Sequence, residues 1–312
     1  MKQTKFSITI GIPVLNEENS IDVLVKSIFA QKNRYYKLEK IFIISDKSTD
    51  KTPSVIYSLQ KKYKNLTFIE GKKRIGKCQR LNQIYKLNKS DILITFDGDI
   101  VLKNKNVLDE MIKPFFNSEV DLVAANDFPE ETLNLSQKIM NAWYMLWYRI
   151  RIDYNNGDNL YNVHGDAQAL RDSFAKTFHY PKGITADQDY LYINLKKSGK
   201  KFFHARRAYV TFFLPQTLQE YYFQTTRFLT EKDSIRKIVD LNDQNYYHIP
   251  TSHKVKKVLE QFLKHPIFTV LAAGVYLKLL VPNKNIDQEN KKGLWTQIQS
   301  TKKSAHVSYL AV

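Results

Sequence analysis

Cysteine is all but missing from this chain: Cys78 is the only one in 312 residues. A lone thiol excludes an internal disulfide framework and a cysteine metal cluster, and it fits a reducing compartment. Long apolar runs are missing too. The best, Ile267–Val281, is broken by Lys278 and falls short of the roughly 20 residues a transmembrane helix needs. It suits an interfacial or re-entrant helix better. Met1–Lys5 is polar and leads straight into an apolar strand, so no signal peptide is expected. No internal repeat or low-complexity tract is visible. Acidic residues are in deficit, 31 against 48 basic ones, for a net charge of +17. That imbalance implies an anionic partner: nucleic acid, acidic lipid headgroups or a phosphorylated substrate. What the chain does have is 43% hydrophobic and 13% aromatic residues, enough for a core and unlike a disordered chain.

Apolar runs and helical spacings alternate through the first hundred residues. Phe6–Leu15 reads as a buried strand with Pro13 breaking its end. Ile21, Leu24, Val25, Ile28 and Phe29 then mark one helical face. Ile41–Ile44 is a second strand, and Asp50 and Thr52 offer caps for a helix over Val55–Tyr63. Leu66–Ile69, Gly76–Leu87 and Ile92–Phe96 follow as strand, helix and strand. This alternation predicts βαβ units: an α/β fold with an open, mostly parallel sheet flanked by helices. Beyond it the pattern loosens. Leu135–Ile152 is helical and aromatic-rich, Tyr161–Gly199 is mixed, and Gln216–Lys237 reads as a long helix. From Thr251 onward ten lysines face three acidic residues. A division at residues 1–235 and 236–312 is expected, the second part a helical, membrane-associated appendix.

Asp97-Gly98-Asp99 sits directly behind the fourth strand. Two carboxylates at the carboxyl edge of an open sheet offer hard oxygen ligands suited to Mg²⁺ or Mn²⁺, which can hold a diphosphate. An acidic turn with Gly98 in a positive-φ position would read the same way. Ile12–Glu18 and Ser45–Asp50 bring further carboxylates and amides to the same edge. Gly71–Lys77, a glycine-bounded basic loop opening a helix, would attract phosphate, or be a solvated loop. It matches neither a Walker P-loop nor a dinucleotide fingerprint.

In this order these segments, with Thr185-Ala186-Asp187 and Gln224-Thr225-Thr226-Arg227-Phe228, resemble the family-two glycosyltransferases of GT-A fold over roughly Ser7–Phe228. The resemblance implies a metal-dependent, inverting transfer from a nucleotide-diphosphate sugar, such as a UDP- or GDP-sugar, to a glycan or lipid-linked acceptor. Pro13, Asn16, Glu17 and Asp46 would hold the nucleoside, with Arg74 and Lys77 nearby. Asp97 and Asp99 would serve ribose and a divalent Mn²⁺ or Mg²⁺. Asp187 would be the general base, and Gln224 and Arg227 would clamp donor and acceptor. Four positions depart from the family pattern. Ser45 stands for a first Asp, and Ala186 replaces the Glu of Thr-Glu-Asp. Asp189 is a second possible base. Phe228 replaces the Trp of Gln-x-x-Arg-Trp, keeping an aromatic face but losing the indole N–H.

Other features have plainer readings. Trp143 and Trp147 suit a core as well as an acceptor platform or interface belt. His164 suits a hydrogen-bonded structural role. Lys196–Lys201 suits a solvated turn, or a contact with anionic headgroups shared with Arg206 and Arg207. Trp295 with Ser300–Lys303 resembles a tail of some membrane-associated relatives. The whole points to the cytoplasmic face of the cell membrane. With no series of spans, a single-addition enzyme or one component of a complex with a membrane protein is expected. A nucleic-acid-binding protein or a nucleotidyltransferase would also fit parts of the composition. Nucleic acid is not the expected partner, because carboxylates gather at the sheet edge and repel phosphate.

Overall fold

The computed structural model describes residues 5–132, 134–235, 238, 241–279 and 298–302. Its first half follows the alternating pattern: β1 (Phe6–Val14), α1 (Ile21–Phe29), β2 (Tyr36–Ser45), α2 (Thr52–Lys62), β3 (Leu66–Glu70), α3 (Lys77–Leu87) and β4 (Ile92–Phe96). The strands pair in parallel in the order β3-β2-β1-β4. Ile92 and Ile94 face one core cluster with Ile8, Ile10 and Ile12, while Leu93 faces the other with Leu81 and Ile84. This is the two-residue period of a strand buried on both faces. The predicted apolar face of α1 is buried. Pro13 does not end β1. Its missing N–H lies beyond the last β1–β4 pair, Gly11 with Thr95, so no ladder bond on that side is lost. Gly11 is required by close approach: a Cβ there would lie 2.2 Å from Ile84.

The helix expected over Val55–Tyr63 begins three residues earlier, at Thr52. Asp50 accepts from the Thr52 N–H at 3.0 Å, and Thr52 Oγ1 accepts from the Glu17 N–H at 2.7 Å. These side chains tie the loops after β1 and β2 together.

The second half comprises β5 (Val101–Leu102), α4 (Val107–Ile112), β6 (Val120–Pro129), α5 (Leu135–Asp153), β7 (Ala167–Arg171), the single turn α6 (Asp172–Ala175), α7 (Asp187–Lys197) and β8 (Lys201–Phe212). Here the sheet is mixed: β7 is antiparallel to both β4 and β6, β6 is parallel to β8, and β5 is antiparallel to β8. The eight-stranded order is β3-β2-β1-β4-β7-β6-β8-β5. Two reversals leave β6 running with β4, so its carboxyl end reaches the same edge as those of β1, β2 and β4. Three helices follow: α8 (Leu218–Ile235), α9 (Thr251–Lys264) and α10 (Pro266–Leu279). Helix α10 is set against α5, with Tyr276 stacked on Trp143 at 4.4 Å. Among the described residues no helix is long and apolar enough to cross a membrane. Leu280 and Val281, the end of the apolar run, lie outside the described residues.

Candidate active site

The carboxyl edge opens into a cavity of about 480 Å³. Pro13, Glu17, Asp46, Arg74, Lys77, Asp97, Asp99, Asp187, Asp189 and Gln224 all line it. Most of the predicted residues are therefore brought together. Asn16 is not among the lining residues; its Oδ1 accepts from the Thr49 N–H at 2.8 Å, joining two edge loops. Its positive φ of 49° is one that asparagine tolerates. The side chains of Arg227 and Phe228 lie outside the described residues, although both positions belong to α8.

Asp46 does more than line the cavity. Its carboxylate accepts from the N–H groups of Ile75 at 2.8 Å and Gly76 at 2.9 Å, and from Arg80 Nε at 2.9 Å. Three of the roughly four lone-pair sites of a carboxylate thus hold the basic loop against α3. Gly76, with φ of 89°, makes the turn into that helix.

Lys77 leaves the same loop and points inward. Its Nζ lies 2.7 Å from Asp97 Oδ1 and 2.9 Å from Asp187 Oδ2. Burial opposes its charge, but Asp187 and Asp97 outweigh that and hold the ammonium well above its ordinary range. The residue expected beside the nucleoside is the bridge between the acidic pair and the expected base. Asp189, two residues on, turns instead to Tyr247, whose hydroxyl donates to it at 3.0 Å.

A second lysine enters from far along the chain. Lys302 Nζ lies 2.8 Å from Asp99 Oδ2 and also donates to Glu17. Ser300 Oγ accepts from the Gln216 N–H at 3.2 Å, seating this segment over the cavity. Burial opposes ionisation of Asp99, yet Lys302 prevails and lowers its pKa. Glu17 is pushed up to about 8, by burial first and then by Asp99. Asp97 is pushed up to about 6, chiefly by burial, with Lys77 working against it. Asp166 is driven well above the carboxylate range by burial and by Asp127 and Asp97. The site thus gathers more carboxyl groups than its two lysines pair, and burial favours the protonated form of those left over.

That surplus bears on whether a divalent cation fits. Asp97 and Asp99 offer hard oxygens, the donor class Mg²⁺ and Mn²⁺ take. Among the described residues no three ligating side chains converge as they stand. A hexacoordinate ion here would draw one or two carboxylates from the chain and the rest from substrate phosphate and water, the usual Mg²⁺ arrangement. The donor set fits on those terms.

Beneath this wall lies a network that the sequence did not announce. Arg151, fully buried in α5, donates to Asp127 at 2.9 Å, to the Tyr144 hydroxyl at 2.8 Å, to Asn162 at 3.0 Å and to His164. Burial and Arg151 lower the His164 pKa to about 4, so the ring is neutral and held, as its structural reading expects. Arg151 pins the loop carrying Asp166, whose carbonyl accepts from the Asp97 N–H at 2.9 Å. Nothing in the helical spacing of α5 sets Arg151 apart from an ordinary surface arginine. The cavity's other half is aromatic and apolar, with Met140, Trp143, Trp147, Phe213 and Tyr221. Trp143 and Trp147 pack against a small core of Leu146, Ile150 and Ile249, as their core reading expects, and also line the cavity.

A sequence model described as Glycosyl transferase family 2 matches residues 9–178, more than half of the chain. Among curated proteins the chain is similar to 4,4'-diaponeurosporenoate glycosyltransferase of Staphylococcus haemolyticus. Identity is 31% over 114 residues, 36% of this chain and 29% of that protein. It is likewise similar to beta-monoglucosyldiacylglycerol synthase of Nostoc sp., 31% identical over 116 residues, 36% of this chain and 24% of that protein. The chain thus spans less than a third of either relative. Among solved structures, a mannosyltransferase from Pyrobaculum calidifontis in complex with GDP-Man and Mn²⁺ aligns with a TM-score of 0.60 at 16% identity. The alignment covers 91% of this chain and 78% of that one. S. aureus TarS 1–349 in complex with UDP-GlcNAc aligns at 0.51 and 14% identity, covering 90% and 83%. At such identities the likeness shows a shared fold.

Proposed function

This chain belongs to glycosyl transferase family 2, and from that premise we propose that it moves a sugar from a nucleotide-diphosphate sugar to a hydroxyl of a glycan or lipid-linked acceptor, inverting the anomeric carbon. The observation that carries this reading is the single cavity shared by Asp97, Asp99, Asp187 and Gln224, with an apolar half beside a charged half. In this reading the donor's nucleotide lies along Pro13, Glu17, Asp46 and Arg74, and its diphosphate reaches Lys77 and the acidic pair. Asp97 and Asp99 hold Mn²⁺ or Mg²⁺, which when bound stabilises charge developing on the leaving diphosphate.

Asp187 takes the proton of the attacking acceptor hydroxyl. The oxygen forms its bond to the anomeric carbon from the face opposite the diphosphate, and the bonding electrons leave with the phosphate oxygen. Lys77, in contact with both Asp97 and Asp187, couples the departing and attacking ends electrostatically. In this reading Gln224 and Arg227, three residues apart in α8, clamp the substrates. The apolar half excludes water, so that the acceptor hydroxyl reacts. The lone cysteine and the lysine-rich surface support a position on the cytoplasmic face of the cell membrane.

A panel of UDP- and GDP-sugars with Mn²⁺ and with Mg²⁺, scored for nucleoside diphosphate release, tests the reading. At least one donor should release nucleoside diphosphate in a metal-dependent way. Release of pyrophosphate from a nucleoside triphosphate instead would refute it.

A further inference from the structure

The tail helix α9 is mounted the wrong way round for a helix bathed in water. Three of its polar side chains face the protein: His253 Nε2 meets the Ile150 carbonyl at 2.9 Å, Lys257 donates to Asp153 at 2.9 Å, and buried Gln261 accepts from Arg149. Val255, Val258, Leu259 and Phe262, spaced i, i+3, i+4 and i+7, face outward. A surface helix in water normally turns such a stripe inward. Helix α10 continues the pattern, burying Thr269 and Ala272 while Ile267, Val270 and Leu277 stand exposed. Of the seventeen large hydrophobic side chains exposed among the described residues, nine fall between Val255 and Leu277. Exposed apolar area concentrated in this way marks an interaction surface.

Charge indicates what covers it. Residues 251–279 contain five lysines and one acid, Glu260, and Lys257 lies 3.6 Å from that acid. Lys256 and Lys264 are exposed beside the apolar stripe. Apolar side chains rimmed by lysines match an acidic lipid surface. Fourteen residues of helix span about 21 Å, too short to cross the roughly 30 Å hydrocarbon core but suited to lie in the interface. The surface is also continuous with the cavity. Tyr276 of α10 stacks on Trp143, and Trp143 lines the apolar half, so one layer of rings separates the patch from the cavity.

We propose that α9 and α10 seat the protein on an anionic lipid bilayer, with the outward stripe in the headgroup boundary, so that the aromatic half of the cavity receives the head of a lipid-carried acceptor from that side. The acceptor part rests on the glycosyltransferase reading; the seating does not.

Co-sedimentation of the full chain with vesicles tests the seating without any nucleotide. The protein should pellet with phosphatidylcholine vesicles containing phosphatidylglycerol, and much less with phosphatidylcholine alone. The double variant Leu263→Glu/Ile267→Glu alters two outward side chains, so its circular dichroism and melting temperature should match wild type while vesicle affinity falls about tenfold or more. Wild-type protein that stays in the supernatant overturns the proposal, as does binding that survives the double variant. A wild-type dimer in light scattering that the variant converts to monomers assigns the surface to a second copy and also overturns it. Vesicle binding without nucleoside diphosphate release from any donor would leave the seating standing and remove the function reading.

Discussion

Lys302 reaches 2.8 Å from Asp99 and also contacts Glu17, so the chain supplies its own cation where a divalent ion is proposed to bind. The ammonium on Asp99 Oδ2 competes for that carboxylate with a divalent ion, so removing it should favour the metal. Lys302→Met should therefore tighten Mn²⁺ binding in the absence of nucleotide by about tenfold, equivalent to about 1.4 kcal/mol, as read by electron paramagnetic resonance of free Mn²⁺. Unchanged affinity would remove Lys302 from that role. Asp187 and Asp189 separate by the same kind of reasoning. Asp187 touches the lysine that touches Asp97, whereas Asp189 is engaged by Tyr247. Asp187→Asn should cut turnover by about 10² to 10⁴-fold with donor affinity nearly intact by calorimetry, and Asp189→Asn should cost far less. If Asp189→Asn carries the larger loss in turnover, the base is misassigned. His204 gives a pH signature. Burial, then the charge of His164 in its protonated form, lowers its pKa to about 3, while the unfolded chain takes up that proton near pH 6.5. The depressed base costs wild type stability as pH falls from about 6.5 toward 3, by up to about 1.4 kcal/mol per pH unit. His204→Leu should gain on wild type across that window in chemical denaturation, and a constant difference would contradict this.

At the scale of elements, the basic loop and α3 hang on Asp46. Its carboxylate meets two loop N–H groups and Arg80, both ionic side chains being nearly buried. Asp46→Ala leaves the guanidinium without its charge partner and should cost about 3–5 kcal/mol, read as a fall in melting temperature. A change below about 1 kcal/mol would mean the loop is held by other contacts. The legibility of the elements follows similar lines. The parallel half could be read because buried parallel strands are continuous apolar runs and α1 keeps a 3.6-residue period. The strands β6 and β8 escaped notice. A register shift between Ala125 and Asn126 bends β8, and its residues alternate irregularly between buried and exposed, so the period of two is lost where a reader looks for it. Motifs at strand ends were legible because each sits next to its strand. The partnership of Lys302 with Asp99 was not, since 203 residues separate them and no local pattern encodes a contact at that range.

For the molecule as a whole, a net charge of +17 surrounds a cavity whose lining is rich in carboxylates. Left bare, those carboxylates would repel a nucleotide diphosphate. Lys77 and Lys302 lie directly against them and Arg74 lines the same cavity, so an approaching dianion meets a positive exterior and then partly neutralised walls. Association with the donor should accordingly be steered by charge and screened by salt. Because the Debye length shrinks from about 30 Å at 0.01 M to about 3 Å at 1 M, the association rate of a nucleoside diphosphate in stopped-flow should fall about tenfold or more across that range. The dissociation rate depends on contacts inside the cavity and should change less. Nucleic-acid binding predicts a different result: a steep salt dependence for duplex DNA affinity with no nucleotide-sugar binding at any salt. An association rate indifferent to salt would mean that the lysines of this surface act only where they touch, as at the acidic pair, and that the molecule's overall field plays no part in gathering a nucleotide.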